Sequence, residues 1–478
     1  MKRFLVVILS CLLTAPVYGA FGTSTIWQVS SVSGVATNGG AFDPGVGSPG
    51  TDESQTATAI TLTTASTTTA TCSPACSATT HGPGNFVHIA SGTGCTVGWH
   101  EIISQAAGTV TFDAAIAAAG GDTCVGTIGG PIASPSTINS IIVGGNHICI
   151  KADGTYSVSA PFNPAGGTSA AFPTIIEGYT TTCGVNGATG DRGQATIQAT
   201  ATGLNGVIGP QNNNVSVFNF VLDCNSQINT QGIFVQANGM MADNLLIKNC
   251  LGAGGYGLHI NGGTGITVTN TRITGGGLNC PGAVLNSTQL LMVSVQVDTN
   301  ACPGFISGGN NGFTCIFCIA ANNSGASSDG FQLSAFANIV NSAAYGNGRD
   351  GVRFTAAAAT WETSISNTWF WGNVGFAMNA SNGATAIGRS MMNYNAYVSG
   401  GLNNLLAGPS DVTLTVDPSV AGASLNFALN ATAGGGAALK AVGFPGVFVS
   451  STGFLSIGPI QPNPTGSTTA PGSFGFVQ

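Results

Sequence analysis

Charge is what this chain has least of. Only 6% of its 478 residues are Asp, Glu, Lys or Arg, and ten cations stand against 17 acids. So few Lys and Arg form no basic stripe, which counts nucleic acid out as a partner. Disorder is excluded as well, because 43% of the residues are hydrophobic and a disordered chain is charge-rich and apolar-poor. Beyond the first 20 residues no long apolar run occurs, so no membrane span is expected. What remains is a surface of hydroxyls and amides. Such a surface suits a polysaccharide or cell-surface glycan, or further copies of the same chain in self-association.

What is present is a repeat. A polar Asn/Gly/Ser turn, a Gly and a hydrophobic alternation recur at Gly206, Gly232, Gly257, Gly282, Gly304, Gly330, Gly351 and Gly375, in steps of 21 to 26 residues. Each period holds two or three short β-type runs and too little apolar surface for a core of its own. The expected solution is a coil, each strand pairing with its equivalent one period later, with Val, Ile, Leu and Phe stacked inside. Eight such coils would make a rod of about 40 Å. An antiparallel sandwich would not explain the constant phase of the glycines.

The N-terminus carries Lys2 and Arg3 before FLVVILSCLLTA, with Val17-Tyr18-Gly19 near a cleavage point. Residues 1–20 read as a secretory signal peptide, giving a secreted, extracellular or cell-surface protein. The alternative is a lipoprotein signal anchored through Cys11. Without Cys11, 12 of the 13 cysteines remain, an even number for an oxidising compartment. Cys224 and Cys250, and Cys280 and Cys302, lie one period apart and would stack within disulfide range. Cys72 with Cys76, Cys95 with Cys124, and Cys149 with Cys183 pair by proximity in sequence. Cys315 and Cys318 form a C-x-x-C, read as a local disulfide or two buried thiols; no second ligand pair nearby makes it a metal site.

Residues 21–82 read as a Thr/Gly-rich arm and 83–136 as a small antiparallel β-module capping the solenoid. Residues 137–400 form the solenoid itself and 401–478 a C-terminal cap and tail.

The segment from about 139 to 400 resembles the secreted right-handed parallel β-helix proteins, the pectate-lyase-like superfamily. The motifs that carry the likeness are Gly154-Thr155-Tyr156, Ile176-Glu177-Gly178-Tyr179 and Ser327-Ser328-Asp329-Gly330-Phe331. Further on stand Asp417-Pro418, Asn426-Phe427-Ala428-Leu429, Gly436-Ala437-Ala438-Leu439 and Ser456-Ile457-Gly458-Pro459, where the family's usual acid is replaced by Ser456. The resemblance implies an all-β parallel β-helix of about ten coils. It leaves activity open, because that superfamily holds lyases, hydrolases, epimerases, adhesins and phage spikes.

Lyase chemistry there needs a carboxylate cluster for Ca²⁺ and an Arg or Lys base; hydrolase chemistry needs close aspartates. This chain has no adjacent Asp pair, no Gly-His-Gly and no Arg-Ile-Lys. The remaining constellation is Asp329, Arg349, Asp350 and Arg353. Both acids precede the coil Gly, so they should stack at one corner and would bind a sugar or hold Ca²⁺, with Arg353 beside Gln332. The plainer reading is that Asp before Gly makes the turn and Arg349 neutralises the pair. Asp223, Asp243, Asp298 and Arg272 read as turn or surface charges, and His147 and His259 as solvated or hydrogen-bonded. Trp369 and Trp371 share a parity; facing outward they form a sugar-stacking platform, facing inward they fill the core.

Two functions are carried forward. One is a non-catalytic β-solenoid with a structural, adhesive or assembly role, binding glycan through Arg349, Trp369 and Trp371. The other is a polysaccharide lyase or glycoside hydrolase acting through Asp329, Asp350 and Arg353.

Overall fold

A computed structural model describes residues 22–77, 79–184, 190–277, 281–287, 289–308, 312–334, 336–355, 362–380, 389–440, 442 and 457–459. The expected signal peptide with Cys11, and Cys280 and Ser456, lie outside them. The chain divides into two compact units. The first comprises Ser33–Ile132 with the residues preceding Val29, and the second Val29–Val32 with the chain from Ala133 onward.

The first unit is an antiparallel barrel. Thr58–Thr64, Thr69–Ser73, Thr109–Phe112, Gly98–Ala106, Phe86–Ser91 and Thr123–Ile128 pair in that order and close on themselves. Alternate residues of these strands, among them Ile60, Leu62, Val87, Ile89, Val110 and Phe112, fill one core. The expected arm over 21–82 is therefore corrected. Thr58–Thr64 and Thr69–Ser73 are barrel strands, because closure requires Thr58–Thr64 to pair with both Thr69–Ser73 and Thr123–Ile128. Disulfides Cys72–Cys76 and Cys95–Cys124 pin this unit.

The second unit is a parallel β-helix. One wall is an eight-stranded parallel sheet of short strands: Ile233–Val235, Leu258–Ile260, Ala283–Leu285, Phe305–Ser307, Phe331–Leu333, Val352–Phe354, Met378–Ala380 and Leu402–Asn403. Most of these strands bury their first and third residues and turn the middle one outward. The other walls come from longer strands, Val215–Asp223, Met241–Lys248, Ile266–Thr274 and Leu290–Asp298. In later coils each divides in two, as in Phe313–Ile316 with Ile319–Ala321.

The corner along these long strands is a column of left-handed residues, in register from coil to coil: Asn219, Asn244, Asn270, Ser294, Phe317, Asn341, Asn367 and Tyr394. Asn visits this conformation more cheaply than most residues, so a recurrent Asn supplies a recurrent bend. A second column lies inside. Asn300 Nδ2 donates to Asn323 Oδ1 (3.1 Å), Asn323 Nδ2 to Asn347 Oδ1 (2.9 Å) and Asn347 Nδ2 to Asn373 Oδ1 (2.9 Å). Asn300, Asn323 and Asn347 are fully buried, and stacking lets each amide satisfy the next.

The glycine phase holds for Gly232, Gly257, Gly282, Gly304, Gly330 and Gly351, each immediately before a short strand. It slips at the ends. Ile208 bridges Ile233, so Val207 rather than Gly206 is in phase, and Ala377 rather than Gly375 precedes Met378–Ala380. The interior reason for glycine is space. A Cβ on Gly232, Gly257 or Gly282 would lie 2.2 Å from a γ-carbon of Ile247, Ile273 or Val297.

Disulfides Cys149–Cys183, Cys224–Cys250 and Cys315–Cys318 join residues of this unit, with Cα atoms of Cys224 and Cys250 4.8 Å apart. Cys302 is buried, and its expected partner Cys280 is outside the described residues. Among the described residues no helix is long and apolar enough to cross a membrane.

Candidate functional site

The short-strand sheet gives the protein a continuous outward row with one residue per coil. In register it starts at Phe234, which is itself buried, and runs through His259, Val284 and Ile306, then Gln332, Arg353, Asn379 and Asn403. Spacing along it is about 4.8 Å, the distance between hydrogen-bonded strands. The first half is aromatic and aliphatic. His259 lies 5.0 Å from Phe234 and 4.7 Å from Tyr256, centroid to centroid, and its Nδ1 is 3.0 Å from Gln231 Oε1. Burial lowers the His259 pKa to about 4, so its ring is neutral at ordinary pH.

The second half is polar. Asn403 Nδ2 donates to Asn379 Oδ1 (3.0 Å), and Asn379 Nδ2 donates to Asp350 Oδ2 (2.8 Å). Arg353 stands beside Gln332 as its sequence position implied, and its Nε is buried with no hydrogen-bond partner.

Asp329 and Asp350 do occupy one corner of neighbouring coils: Gly304 N donates to Asp329 O and Gly330 N to Asp350 O. Both are buried and both are engaged. Arg349 grips Asp329 with two bonds, Nε to Oδ1 at 2.7 Å and Nη2 to Oδ2. Asp350 accepts from Phe376 N (2.8 Å) as well as from Asn379, and Arg349 Nε approaches it at 4.0 Å. Burial pushes the Asp329 carboxyl above the usual range, and the Arg349 guanidinium draws it back. The Asp329 bond in turn raises the Arg349 pKa, so this cation is tied into the coil corner rather than extended toward a ligand.

The tryptophans show a third arrangement beside the two expected. Trp369 and Trp371 flank Phe370, which points toward Gly351 on the opposite wall; Trp369 is fully buried and Trp371 partly so. The C-terminal segment covers that face. Phe427, Leu439 and Ile457 cluster with Trp369, and Tyr345 and Trp371 pack against them. Tyr345 Oη donates to Asp417 Oδ2 (3.0 Å), and Gly458 N to Asn367 O (2.8 Å). Trp369 is thus no exposed platform and no filler of the helix interior; it anchors the chain's last segment.

The scattered charges form pairs between coils. Arg272 binds Asp298 through Nε (2.8 Å) and Nη2 (3.0 Å), Lys248 lies 3.5 Å from Asp223, and Arg192 lies 2.8 Å from Asp243. Asp298 is fully buried, against the expectation of a surface charge, because Gln296, Thr274 and Thr299 also donate to it. Sequence reasoning passed over Asn379 and Asn403. Their signal is the phase itself, since each lies second in a short strand.

No family model and no curated protein matches this chain. Among solved structures it is similar to the pectate lyase Pel9A, at 14% identity and a TM-score of 0.49, over 70% of this chain and 92% of that one. The A-module of mannuronan C-5 epimerase AlgE4 from Azotobacter vinelandii aligns at 14% identity and a TM-score of 0.32, over 59% and 96%. The catalytic unit of a GH87 α-1,3-glucanase from Streptomyces thermodiastaticus aligns at 11% and 0.23, over 72% and 87%. The second unit is a parallel β-helix by its own strand pairing.

Proposed function

We propose that this protein is a secreted, non-catalytic β-helix that binds a polysaccharide along the outward row of its short-strand sheet, in a structural or adhesive role. The observation that carries the reading is the second half of that row. Four residues on consecutive coils present two amides of Asn, one of Gln and a guanidinium whose Nε has no protein partner. Sugar hydroxyls both donate and accept, so they suit alternating amides and a half-buried guanidinium. The neutral His259 ring, with Val284 and Ile306 on the next coils, extends the row with apolar surface for a sugar face. Five disulfides support an oxidising, extracellular setting.

The acids favour binding over cleavage. Asp329 and Asp350 hold coil to coil, and a general acid or base must reach the substrate's proton. One observation favours the enzymatic alternative: Asp350 Oδ2 touches Asn379 and so lies at the edge of the same row.

The test is affinity electrophoresis through gels containing a panel of neutral and acidic polysaccharides. Retardation by at least one polysaccharide, weakened about tenfold or more in Arg353→Ala, is the expected result. Migration unchanged by every polysaccharide, or retardation indifferent to Arg353→Ala and Gln332→Ala, rejects the reading.

A further inference from the structure

A second polar cluster lies in the first coils, away from the outward row. His147 and Cys149 stand on the strand His147–Lys151, and Glu177 on the adjacent strand Thr174–Tyr179, directly opposite Cys149. Cys183 follows in the next loop and is joined to Cys149. Ligand atoms of His147, Cys149 and Cys183 all lie within 4.8 Å of one another. Glu177 adds a fourth. Its Oε2 is 3.1 Å from His147 Nε2 and 3.8 Å from Cys183 Sγ, while His147 Nε2 is 3.7 Å from Cys183 Sγ.

Those distances have a meaning for coordination. With Zn–S near 2.3 Å and Zn–N or Zn–O near 2.0–2.2 Å, the edges of a tetrahedron are about 3.3–3.8 Å long. The imidazole, carboxylate and Cys183 sulfur already stand at about such edges. The Cys149 sulfur is bonded to Cys183 and lies within 4.8 Å of the His147 nitrogen, so reduction must part the two sulfurs to complete the tetrahedron. Glu177 is fully buried, and its other oxygen is already fixed, accepting from Gly190 N and from Asn219 Nδ2 at 3.4 Å. Oε2 accepts from Gly184 N (3.1 Å) beside its approaches to His147 and Cys183, so protein donors fix both carboxylate oxygens, which is how an outer shell orients a metal ligand.

We infer that Cys149, Cys183, His147 and Glu177 form a site with two states: a disulfide when oxidised, and a two-thiolate, imidazole and carboxylate site for Zn²⁺ when reduced. A dithiol supplies the two electrons and two protons that break the S–S bond and leave two thiols, and is itself oxidised to a disulfide. Zn²⁺ then displaces both thiol protons to solvent and takes the lone pair of His147 Nε2 and Glu177 Oε2. A small-molecule disulfide accepts the two electrons and is reduced to two thiols as the Cys149–Cys183 bond re-forms and the ion is released. Thiolate, imidazole and carboxylate are all zinc ligand types, and neighbouring coils already bring these residues together.

The full mature chain is reduced with a phosphine, freed of reductant under anaerobic conditions and titrated with Co²⁺, a spectroscopic stand-in for Zn²⁺. The expected result is one more equivalent bound than by Cys149→Ser/Cys183→Ser, with sulfur-to-cobalt charge-transfer bands. His147→Gln, which keeps the disulfide and leaves the oxidised circular dichroism unchanged, should weaken that binding about tenfold or more. Equal stoichiometry in wild type and double variant overturns the inference. If the double variant does not fold, His147→Gln decides alone: affinity unchanged from wild type overturns it. Reduced protein that loses its circular dichroism and does not regain it with Co²⁺ overturns it too.

Discussion

Replacing Gly257 by alanine tests the coil geometry at its tightest point. A Cβ there would stand 2.2 Å from Ile273 Cγ2 and 2.8 Å from the carbonyl oxygen of Gly282. Carbon atoms prefer about 3.5 Å or more, so the methyl would overlap Ile273 by about 1.3 Å. Neither neighbour yields easily. Ile273 is buried and β-branched, and Gly282 O accepts from Leu258 N in the ladder that joins successive coils. Overpacking of this kind costs about 1–3 kcal/mol, and the stiffer unfolded chain returns about 0.4–1. The expected net loss is about 1–2 kcal/mol. Gly254→Ala is the control, because its nearest neighbours would lie 3.6 Å away. Guanidinium denaturation followed by circular dichroism gives both midpoints and slopes. If Gly257→Ala matches Gly254→Ala within about 0.5 kcal/mol, the interior is roomier than described and the account of the glycine phase fails.

Two other outcomes follow from buried polar groups. Glu101 in the barrel is pushed up to about 8 by burial, with Asp43 and Asp113 adding to the shift. Below about pH 4.5 it is protonated in both folded and unfolded chains; between there and pH 8 only the unfolded chain releases the proton. Barrel stability should therefore fall across that window, by about 2 kcal/mol once partial screening is allowed for, and Glu101→Gln should flatten the fall. Thermal melts at pH 5 and pH 8 read both, and a pH-independent wild type would refute it. Asn323→Leu removes a rung of the inner amide column: Asn300 Nδ2 loses its Asn323 acceptor and Asn347 Oδ1 keeps only the longer bond from the residue 323 backbone N–H, at a cost of about 1–3 kcal/mol. A denaturation midpoint like that of wild type would show that the column carries no stability.

The fold was legible because its period is written in residues whose reason is local. Gly257 recurs where a Cβ has no room, and Asn270 where the strand must bend to the left-handed region. The phase was misread at Gly375 because Ala377 fits the same position, and turns of varying length hide a shift of two residues. Cys224 and Cys250 were legible for the same reason as the strands, being one coil apart.

Distant coverage was not legible. The parity of Trp369 and Trp371 is a local fact, but Phe427 and Ile457, which cover Trp369, come from far along the chain. The engagement of Asp329 was half visible: Asp before Gly marks a turn, whereas the two-bond grip of Arg349 depends on how the next turn is routed. Glu177 sat inside a strand motif, and nothing in sequence marks a buried carboxylate whose donors include Asn219 and Gly184.

The most direct test of the central claim is incubation of the purified protein with the polysaccharide panel, with and without Ca²⁺, recording new reducing ends and unsaturated-uronate absorbance together. Retention of a polysaccharide with neither signal is the result predicted for a binding β-helix. Cleavage that disappears in folded Asp350→Asn would contradict it and make that buried carboxylate a catalytic residue.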